Sequence, residues 1–431
     1  MQRRDVSRRQ FLKTAAGLAA GAVAFPYIVP SSVLGSNGSV APSNRIVMGC
    51  IGMGGQGTGN MQGFLGNNDV RVVAVCDVDK RNRDKAKKIV DDKYGNTDCK
   101  DYLDFRDLIA RNDIDALSLA MPDHWHSIPA VMGAKAGKDI YAEKPLARTI
   151  REGRAICNAV KRYGIIWQTG SQQRSDDKFR QGCELVRNGR IGKVHLVEVG
   201  LPTGGGSDNK PVQPVPEGVD WDFWLGPAPW VPYRGVMHWD WRWMLDYSGG
   251  QLTDWAGHHI DIAHWGLGLD LTGPVEIEGK GVYPKDGIFN AATEYKFTCK
   301  YAGGVTMIVA NDRQVTHGTK WYGEDGKWVF VTRGQIKANP PSILNETIGP
   351  NEKRLYVSRD HKRNFLDCIK SRQQTIAPAE VGHRSISVAL LGEIAMLTER
   401  KLRWEPDKEV FINDEGANRM LSRPMRTPWH L

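Results

Sequence analysis

The chain has 431 residues, enough for two domains with apolar cores, and its composition gives no indication of a disordered, collagen-like or multispan membrane protein. The net charge of +9 divides unevenly: residues 1–13 carry +4, and the +5 left for the rest of the chain is too weak a field to favour nucleic-acid binding. Seven cysteines without a CxxC motif or regular spacing are typical of small buried side chains and argue against a disulfide framework or a zinc site.

The first 30 residues have the pattern of an export signal. Arg8 and Arg9 begin the stretch RRQFLK, and an apolar run follows over residues 15–29. Glycines and a proline interrupt this run, so it is short for a membrane span, although an N-terminal anchor helix remains an alternative. We predict a twin-arginine signal over residues 1–30 and a linker over 31–44, with cleavage after residues 22–24 or within the linker. The twin-arginine export machinery carries folded chains, which predicts a periplasmic protein.

A dinucleotide-binding unit follows the linker. The apolar run 45–51 predicts a buried parallel strand, which leads into the GxGxxG sequence GMGGQG and a helix to about residue 64. Gly52 would permit a tight turn, Gly54 would let the backbone approach a pyrophosphate, and Gly57 would bring helix and strand together. The free N–H groups at the helix N-terminus attract phosphate.

The next predicted strand, residues 70–76, indicates which nicotinamide cofactor is bound. It ends in Asp77, whose carboxylate would accept hydrogen bonds from ribose hydroxyls and repel a 2′-phosphate. We therefore predict NAD, while Lys80, Arg81 and Arg83 are near enough in sequence to leave NADP open.

Alternating strands and helices continue to residue 170. Strands are predicted over 116–120, 140–142 and 165–168, and helices over 128–136 and 149–163. This alternation predicts an α/β fold whose N-terminal domain, residues 45–170, is a doubly wound parallel sheet of the Rossmann type.

Two later stretches resemble the glucose–fructose oxidoreductase/inositol dehydrogenase (Gfo/Idh/MocA) family. The first is MPDHWHSIPAVMGAKAGKDIYAEKPLA, residues 121–147, with its Glu-Lys-Pro, and the second is SGGQLTDWAGHHID, residues 248–261. The resemblance covers the chain from about residue 45 to the C-terminus. It implies that residues 171–431 form an α+β domain with a large, mostly antiparallel open sheet for substrate or subunit contact. It further implies a homo-oligomer (a dimer or tetramer) and a cis peptide before Pro145.

The resemblance also implies roles for single residues. Lys144 would contact the reacting hydroxyl, with Asp254 and His258 completing the catalytic group. Together with the dinucleotide fingerprint, it gives as predicted cofactor-binding residues Gly52, Met53, Gly54, Gly55, Gln56, Gly57, Asp77, Pro122, His126, Glu143 and Lys144. For His126, which follows a strand end, a ligand contact and a role in starting the next helix are equally open.

The chemistry of alcohol oxidation divides these roles further. Loss of the hydroxyl proton needs a base with a pKa near ambient pH, which suits His258, while Lys144 would donate a hydrogen bond to the developing alkoxide. Asp254 lies four residues before His258, on the same face of a helix, and would orient it or bind a sugar hydroxyl. The alternatives are a surface lysine and a structural histidine. The pattern His258, His259, Asp261, His264 does not converge on one helical face, so we predict no metal.

Eight of the fourteen tryptophans lie between residues 221 and 265. Aromatic faces stack on sugar rings, so we predict that Trp241 and Arg242 bind substrate together with Lys144, Asp254 and His258. A packed core or subunit interface is the alternative.

These features predict an oxidoreductase that moves a hydride between a secondary hydroxyl of a sugar, glycoside or polyol and a tightly held NAD(P). Tight binding is expected because a cofactor made in the cytoplasm must be exported inside the folded protein. The alternative is an NAD-dependent glycosidase or lyase that oxidises one ring carbon transiently and eliminates the aglycone. The sequence does not name the sugar.

Overall fold

The computed structural model describes residues 40–41, 44–206 and 208–431, so the predicted signal and most of the linker lie outside the described residues. Residues 46–431 cluster as one compact unit, which contains two sheets. The domain boundary near residue 170 remains a prediction.

The first sheet has six parallel strands, and it confirms the Rossmann prediction. Its order is β3-β2-β1-β4-β5-β6, with helices in the connections. The elements are β1 (Ile46–Ile51), α1 (Gly55–Leu65), β2 (Val70–Cys76), α2 (Lys80–Tyr94), β3 (Lys100–Tyr102), α3 (Phe105–Ile109), β4 (Ala116–Leu119), α4 (Ser127–Lys135), β5 (Asp139–Ala142), α5 (Ile150–Tyr163) and β6 (Trp167–Thr169).

Two differences from the predicted elements have local causes. The last strand begins later than residue 165 because the N–H of Ile166 donates to the Asp139 carboxylate at 2.7 Å instead of to a neighbouring strand. Helix α2 carries no strong apolar signal, since only Ala86 and Val90 are buried on it, and the sequence pattern did not predict it.

The second sheet has nine strands in the order β13-β12-β11-β7-β10-β9-β8-β14-β15, and only the β7–β10 pair is parallel. This confirms the expected large, mostly antiparallel sheet. Its elements, with the helices between them, are α6 (Asp177–Arg187), β7 (Leu196–Leu201), α7 (Trp221–Leu225), α8 (Gly250–Leu267), β8 (Glu276–Val282), β9 (Glu294–Lys300), β10 (Thr306–Asn311), β11 (Gly318–Tyr322), β12 (Trp328–Thr332), β13 (Gln335–Asn339), α9 (His361–Ser371), α10 (Ala379–Thr398), β14 (Leu402–Glu405), β15 (Val410–Phe411) and α11 (Glu415–Arg419).

One apolar core joins the two sheets. Helix α10 contacts α5 and β6 of the first sheet and β8 and β9 of the second, and α8 packs against β7 and β11. Because α8 is buried along almost its whole length, the side chains at its N-terminal end are held where the two sheets meet. All seven cysteines are buried free thiols. Among the described residues, no helix is both long and apolar enough to span a membrane.

Candidate active site

A first cavity lies along the carboxyl ends of the parallel strands, where ligands bind in such sheets. This cleft of about 1170 Å³ is lined by the glycine-rich turn (residues 52–57), by Asp77, and by Pro122, Glu143 and Lys144. Its other wall comes from the segment between β7 and α8, which includes Trp241 and Arg242.

The glycine-rich turn has the shape that a dinucleotide requires. A Cβ at position 57 would lie 1.7 Å from the Gly52 carbonyl oxygen, so only glycine allows this close packing of α1 against the turn. A Cβ at position 54, by contrast, would meet no atom within 4 Å and would extend into open space at the start of α1. Helix α1 therefore presents its N-terminal N–H groups to the cleft, as a pyrophosphate site needs.

Asp77 and Glu143 are two of the carboxylates that border the cleft. Asp77 accepts hydrogen bonds from the backbone N–H groups of Met53 (2.6 Å) and Asp79 (2.8 Å). Burial raises the pKa of the Asp77 carboxyl, and those two bonds oppose the rise. Glu143 accepts from the amides of Gln56 (3.0 Å) and Asn60 (2.8 Å) through Oε1, while its buried Oε2 has no partner among the described residues. An unpaired buried oxygen of this kind fits a bound group that donates a hydrogen bond.

The second cavity, of about 1050 Å³, continues from the first. Gln56, Glu143, Lys144 and Asp254 line both cavities, so the two spaces meet at these side chains. The remaining wall of the second cavity comes from Gln172, Gln173, Asp176, Phe179, Trp255, His258 and Arg333.

An ion pair lies at this junction. Lys144 Nζ donates to Asp254 Oδ1 at 2.7 Å and to the Asp254 backbone oxygen at 3.1 Å, and each side chain is 16% exposed. Arg242 Nε lies 3.8 Å from the same carboxylate oxygen. Burial raises the pKa of Asp254, but the charges of Lys144 and Arg242 outweigh burial and hold the pKa below its usual range. Asp254 is therefore an anion that anchors Lys144 at the junction.

His258 lies one turn after Asp254 on α8, but the two side chains do not pair. Its Nδ1 is buried without a partner among the described residues, and its ring borders the second cavity. Burial, together with the positive charges of Lys144 and Arg333, lowers the pKa of His258 well below its usual value. The imidazole is thus neutral at physiological pH.

Two family models match the chain on either side of residue 171. The model described as oxidoreductase family, NAD-binding Rossmann fold, matches residues 46–171, and the model described as oxidoreductase family, C-terminal alpha/beta domain, matches residues 200–431. The chain belongs to the Gfo/Idh/MocA family of oxidoreductases. A third model, for the twin-arginine translocation signal sequence, matches residues 5–25 and confirms the predicted export signal.

Relatives of this Gfo/Idh/MocA protein include dehydrogenases and a glycosidase. It is 22% identical to a myo-inositol 2-dehydrogenase of Thermotoga maritima over 83% of this chain and 98% of the relative. It is 31% identical to an alpha-N-acetylgalactosaminidase of Shewanella oneidensis, but over only 46% of this chain and 42% of that protein. The solved structure of an aldose-aldose oxidoreductase from Caulobacter crescentus has the same fold, with a TM-score of 0.61 at 19% identity over 83% of this chain and 99% of that one.

Two predicted contacts of this family member need correction. His126 does not line either cavity: its ring nitrogens lie 2.6 Å from the Pro145 carbonyl oxygen and 2.8 Å from that of Met121, so the side chain fixes the path of the segment that carries Lys144. Asp254 pairs with Lys144 rather than orienting His258. The Lys144–Pro145 peptide is cis, as the resemblance implies.

Two of the four residues considered for a metal site, Asp261 and His264, have other partners. Asp261 accepts from Arg174 at 2.6 and 3.0 Å, and His264 Nε2 lies 2.7 Å from the Tyr301 hydroxyl. Within the part of the chain that the structure describes, no group of His, Cys, Asp and Glu side chains could hold a metal ion.

Several of the tryptophans between residues 221 and 265 pack in the interior, which supports the alternative that this segment forms a packed core. Trp221, Trp224, Trp241 and Trp243 belong to one buried apolar cluster, and Trp221 and Trp224 stack at 4.7 Å. Trp241 lines the first cleft as well, and Trp255 lines the second cavity. The sequence pattern missed Gln173 and Arg333, for which it carries no motif.

The segment that holds this cluster, residues 208–247, is here called the clasp. It reaches the loop between β2 and α2, where the N–H of Lys80 donates to the Gly218 carbonyl at 2.9 Å and the N–H of Asp220 donates to that of Val78 at 3.1 Å. Its residues Phe223, Trp224 and Met237 line the first cleft opposite the glycine-rich turn. The clasp therefore forms a second wall across the cofactor cleft.

Proposed function

We propose that this protein transfers a hydride between a secondary hydroxyl of a sugar, glycoside or polyol and a tightly held nicotinamide cofactor. The observation that carries the proposal is the junction: one cavity has the features of a dinucleotide site, the other is open to a small polar molecule, and they meet at Lys144 and Asp254. Bound NAD would supply the hydride acceptor and donor for this chemistry.

The residues suited to hold the cofactor are those of the glycine-rich turn with Asp77 and Glu143. NAD is favoured over NADP because each basic side chain near Asp77 is already engaged. Lys80 pairs with Asp84 at 2.6 Å, Arg81 pairs with Asp79 at 2.9 Å, and Arg83 donates to the Asp77 carbonyl at 2.6 Å. A 2′-phosphate would meet the Asp77 carboxylate without a free cation to balance it.

The catalytic roles follow from charge and position. Lys144, anchored by Asp254, would donate a hydrogen bond to the substrate oxygen and stabilise negative charge that develops there. His258, kept neutral by its surroundings, would accept the hydroxyl proton in the forward direction, although its lowered pKa makes it a weaker base than a free imidazole. Arg242 lies beside Asp254 and would bind a hydroxyl of the sugar.

Tight cofactor binding is supported by the clasp and by the export signal. The clasp lines the cleft together with the glycine-rich turn and is joined to the β2–α2 loop by backbone hydrogen bonds, so both would contact a bound dinucleotide. A twin-arginine signal fits a protein that folds around its cofactor before export to the periplasm. A cofactor retained in this way must return to its oxidised form while still bound. Either a second substrate accepts the hydride, or the oxidised form of the first substrate takes it back.

A glycosidase is the second candidate, favoured by the 31% identity to the Shewanella oneidensis alpha-N-acetylgalactosaminidase. In this scheme a ring hydroxyl is oxidised to a ketone, which acidifies the neighbouring C–H. The glycosidic bond then breaks by elimination, water adds to the resulting double bond, and the ketone is reduced again. The same residues would serve, since both schemes begin with oxidation of a secondary hydroxyl.

A nitrophenyl glycoside panel tests and separates the two candidates. The oxidoreductase predicts either net formation of NADH at 340 nm or a reduced second sugar, with the aglycone still attached. The glycosidase predicts release of nitrophenol with no net change in the cofactor. If neither the sugars nor the glycosides change the redox state of the bound cofactor or release aglycone, the proposal is wrong.

A further inference from the structure

Arg333 is the charged group of the second cavity that lacks a close partner. It occupies the turn between β12 and β13, and its guanidinium carbon lies 4.7 Å from the centre of the Trp255 ring. Within the described ranges no carboxylate lies within 4.0 Å of it, whereas many of the other described arginines pair with one. Burial lowers the pKa of Arg333, and the more distant Asp254 opposes this shift.

Each carboxylate that borders the same cavity has a hydrogen-bond or ion-pair partner other than Arg333. Asp254 pairs with Lys144, and Glu143 accepts from the amides of Gln56 and Asn60. Asp176 caps the N-terminus of α6, where it accepts from the N–H of Lys178 at 2.8 Å. Arg333 is therefore an exposed cation on the wall of the cavity, and its hydrogen-bond donors have no protein partner within the described ranges.

A neutral donor lies on the same cavity. Gln173 is only 4% exposed, and neither its Nε2 nor its Oε1 has a partner within the described ranges. A buried amide without partners is costly unless a ligand or water completes its bonds. Gln173 and Arg333 thus both offer donors to one cavity, and of the two only the buried Gln173 amide is shielded from bulk water. This arrangement fits a ligand that carries an acceptor group.

The position of Arg333 is fixed by packing and not by an ion pair. Trp255, over which it lies, contacts the rings of His317 at 4.7 Å and His259 at 5.9 Å. Stacking on an aromatic face holds a guanidinium in place while leaving its in-plane N–H groups for a ligand. That arrangement presents a preformed fork, the geometry that binds a carboxylate through two parallel bonds.

We propose that the second cavity recognises the carboxylate of a sugar acid, so that the substrate class is a uronic acid or a glycoside of one. This proposal rests on the proposed function. The guanidinium of Arg333 would bind the carboxylate, and the Gln173 amide would donate a further hydrogen bond to it. Lys144 would donate a hydrogen bond to the reacting hydroxyl. A monoanionic carboxylate is favoured over a phosphate because three protein carboxylates border this cavity and would repel a dianion more strongly.

Calorimetric binding to the purified cofactor-containing protein tests this assignment. The probes are matched pairs: D-glucuronate and D-glucose, D-galacturonate and D-galactose, and the nitrophenyl glucuronides and glucosides. We expect at least one acid to bind about 10-fold or more tightly than its neutral parent, and Arg333→Gln to reduce that ratio about 10- to 100-fold. Arg333→Lys, which keeps the charge without the fork, should retain part of the preference.

The matched control is Arg313→Gln, which removes an exposed arginine that lines neither cavity and should leave the ratio unchanged. The assignment is overturned if no acid binds more tightly than its parent, or if Arg333→Gln and Arg313→Gln give the same ratio. These outcomes are distinct from failure of the proposed function. If neutral sugars reduce the cofactor but acids do not bind, the carboxylate subsite alone is wrong. If acids bind but cause neither cofactor reduction nor aglycone release, the proposed function alone is wrong.

Discussion

The ammonium group of Lys144 lies 2.7 Å from the carboxylate of Asp254, although 110 positions separate the two residues in the chain. Lys144 follows the last residues of β5 in the parallel sheet, and Asp254 lies in the first turns of α8, which packs on the second sheet. The pair thus joins the two parts of the fold at the point where the two cavities meet. Removing either partner should affect chemistry more than cofactor content.

We expect Lys144→Met to lower kcat by about 100- to 10,000-fold, the range for losing a positioned proton or hydrogen-bond donor, while the cofactor stays bound. Asp254→Asn should also lower kcat, because the carboxylate that anchors Lys144 loses its charge. Steady-state kinetics with nucleotide content per chain as the second readout check both variants. The exposed Lys296→Met is the control for loss of one lysine charge. Loss of cofactor in parallel with activity would show instead that the pair only holds the fold together.

The second prediction concerns the pH profile. Burial and the nearby cations lower the pKa of His258 well below 6.5, so its neutral, proton-accepting form is present throughout the neutral range. Activity falls when such a base is protonated, that is, as the pH drops through its pKa. We therefore expect kcat/KM to be flat from about pH 6.5 to 7.5 and to lose activity only at lower pH.

His258→Gln tests the same assignment, since it should remove that acidic limb together with most of the turnover. An acidic limb centred near 6.5 in the unmodified protein, or one that persists in His258→Gln, would assign the proton acceptor to another group.

The third prediction separates cofactor contact from folding at the glycine-rich turn. A Cβ at position 54 meets no protein atom within 4 Å, so Gly54→Ala should fold normally but place a methyl group where the pyrophosphate approaches. We expect the purified variant to contain much less nucleotide than the parent, with an unchanged circular dichroism spectrum. Gly59→Ala is the matched control. Residue 59 lies on α1, a Cβ there also meets no atom within 4 Å, and the variant should keep its nucleotide. Equal nucleotide content in the two variants would contradict a dinucleotide at this turn.

The sequence predicted those parts of the site whose residues lie close together in the chain. The apolar run, the spaced glycines and Asp77 all lie within about thirty residues of one another, and their strand–turn–helix–strand arrangement was predicted nearly to the residue. The four-residue spacing of Asp254 and His258 put both on one helix face. That spacing could not indicate that Asp254 pairs with Lys144, which comes from the other sheet. Which cations lie beside a buried carboxylate is decided by long-range packing, and a local motif does not record it.

His126 and Arg333 illustrate what a sequence motif leaves out. His126 does follow a strand end, but its ring is occupied by two carbonyls, one of them brought close by the turn at Pro145. Arg333 belongs to a hairpin turn between two short strands, and only the packing of that hairpin against α6 and the position of Trp255 on α8 bring it to the cavity. Neither arrangement has a signature in the surrounding residues.

The fourth prediction tests the clasp. Gly218 has a φ of 79°, and a Cβ there would lie 3.0 Å from the Cβ of Lys80, so Gly218→Val should open the junction between the clasp and the β2–α2 loop. We expect the bound nucleotide to dissociate faster, which stopped-flow exchange against a fluorescent NAD analogue measures. Gly206→Ala lies just before the clasp, where a Cβ meets no described atom within 4 Å, and is the control. An unchanged dissociation rate in Gly218→Val would mean that the clasp does not retain the cofactor.

The central claim is that a nicotinamide dinucleotide occupies the cleft between the glycine-rich turn and the clasp, facing Lys144. The most direct measurement is to purify the exported protein, denature it with acid and identify the released nucleotide by mass spectrometry. We expect NAD or NADH at about one molecule per chain, because the described residues form one glycine-rich dinucleotide cleft. Protein that releases no nicotinamide nucleotide, and that binds neither NAD nor NADP when these are added to the folded chain, would contradict it.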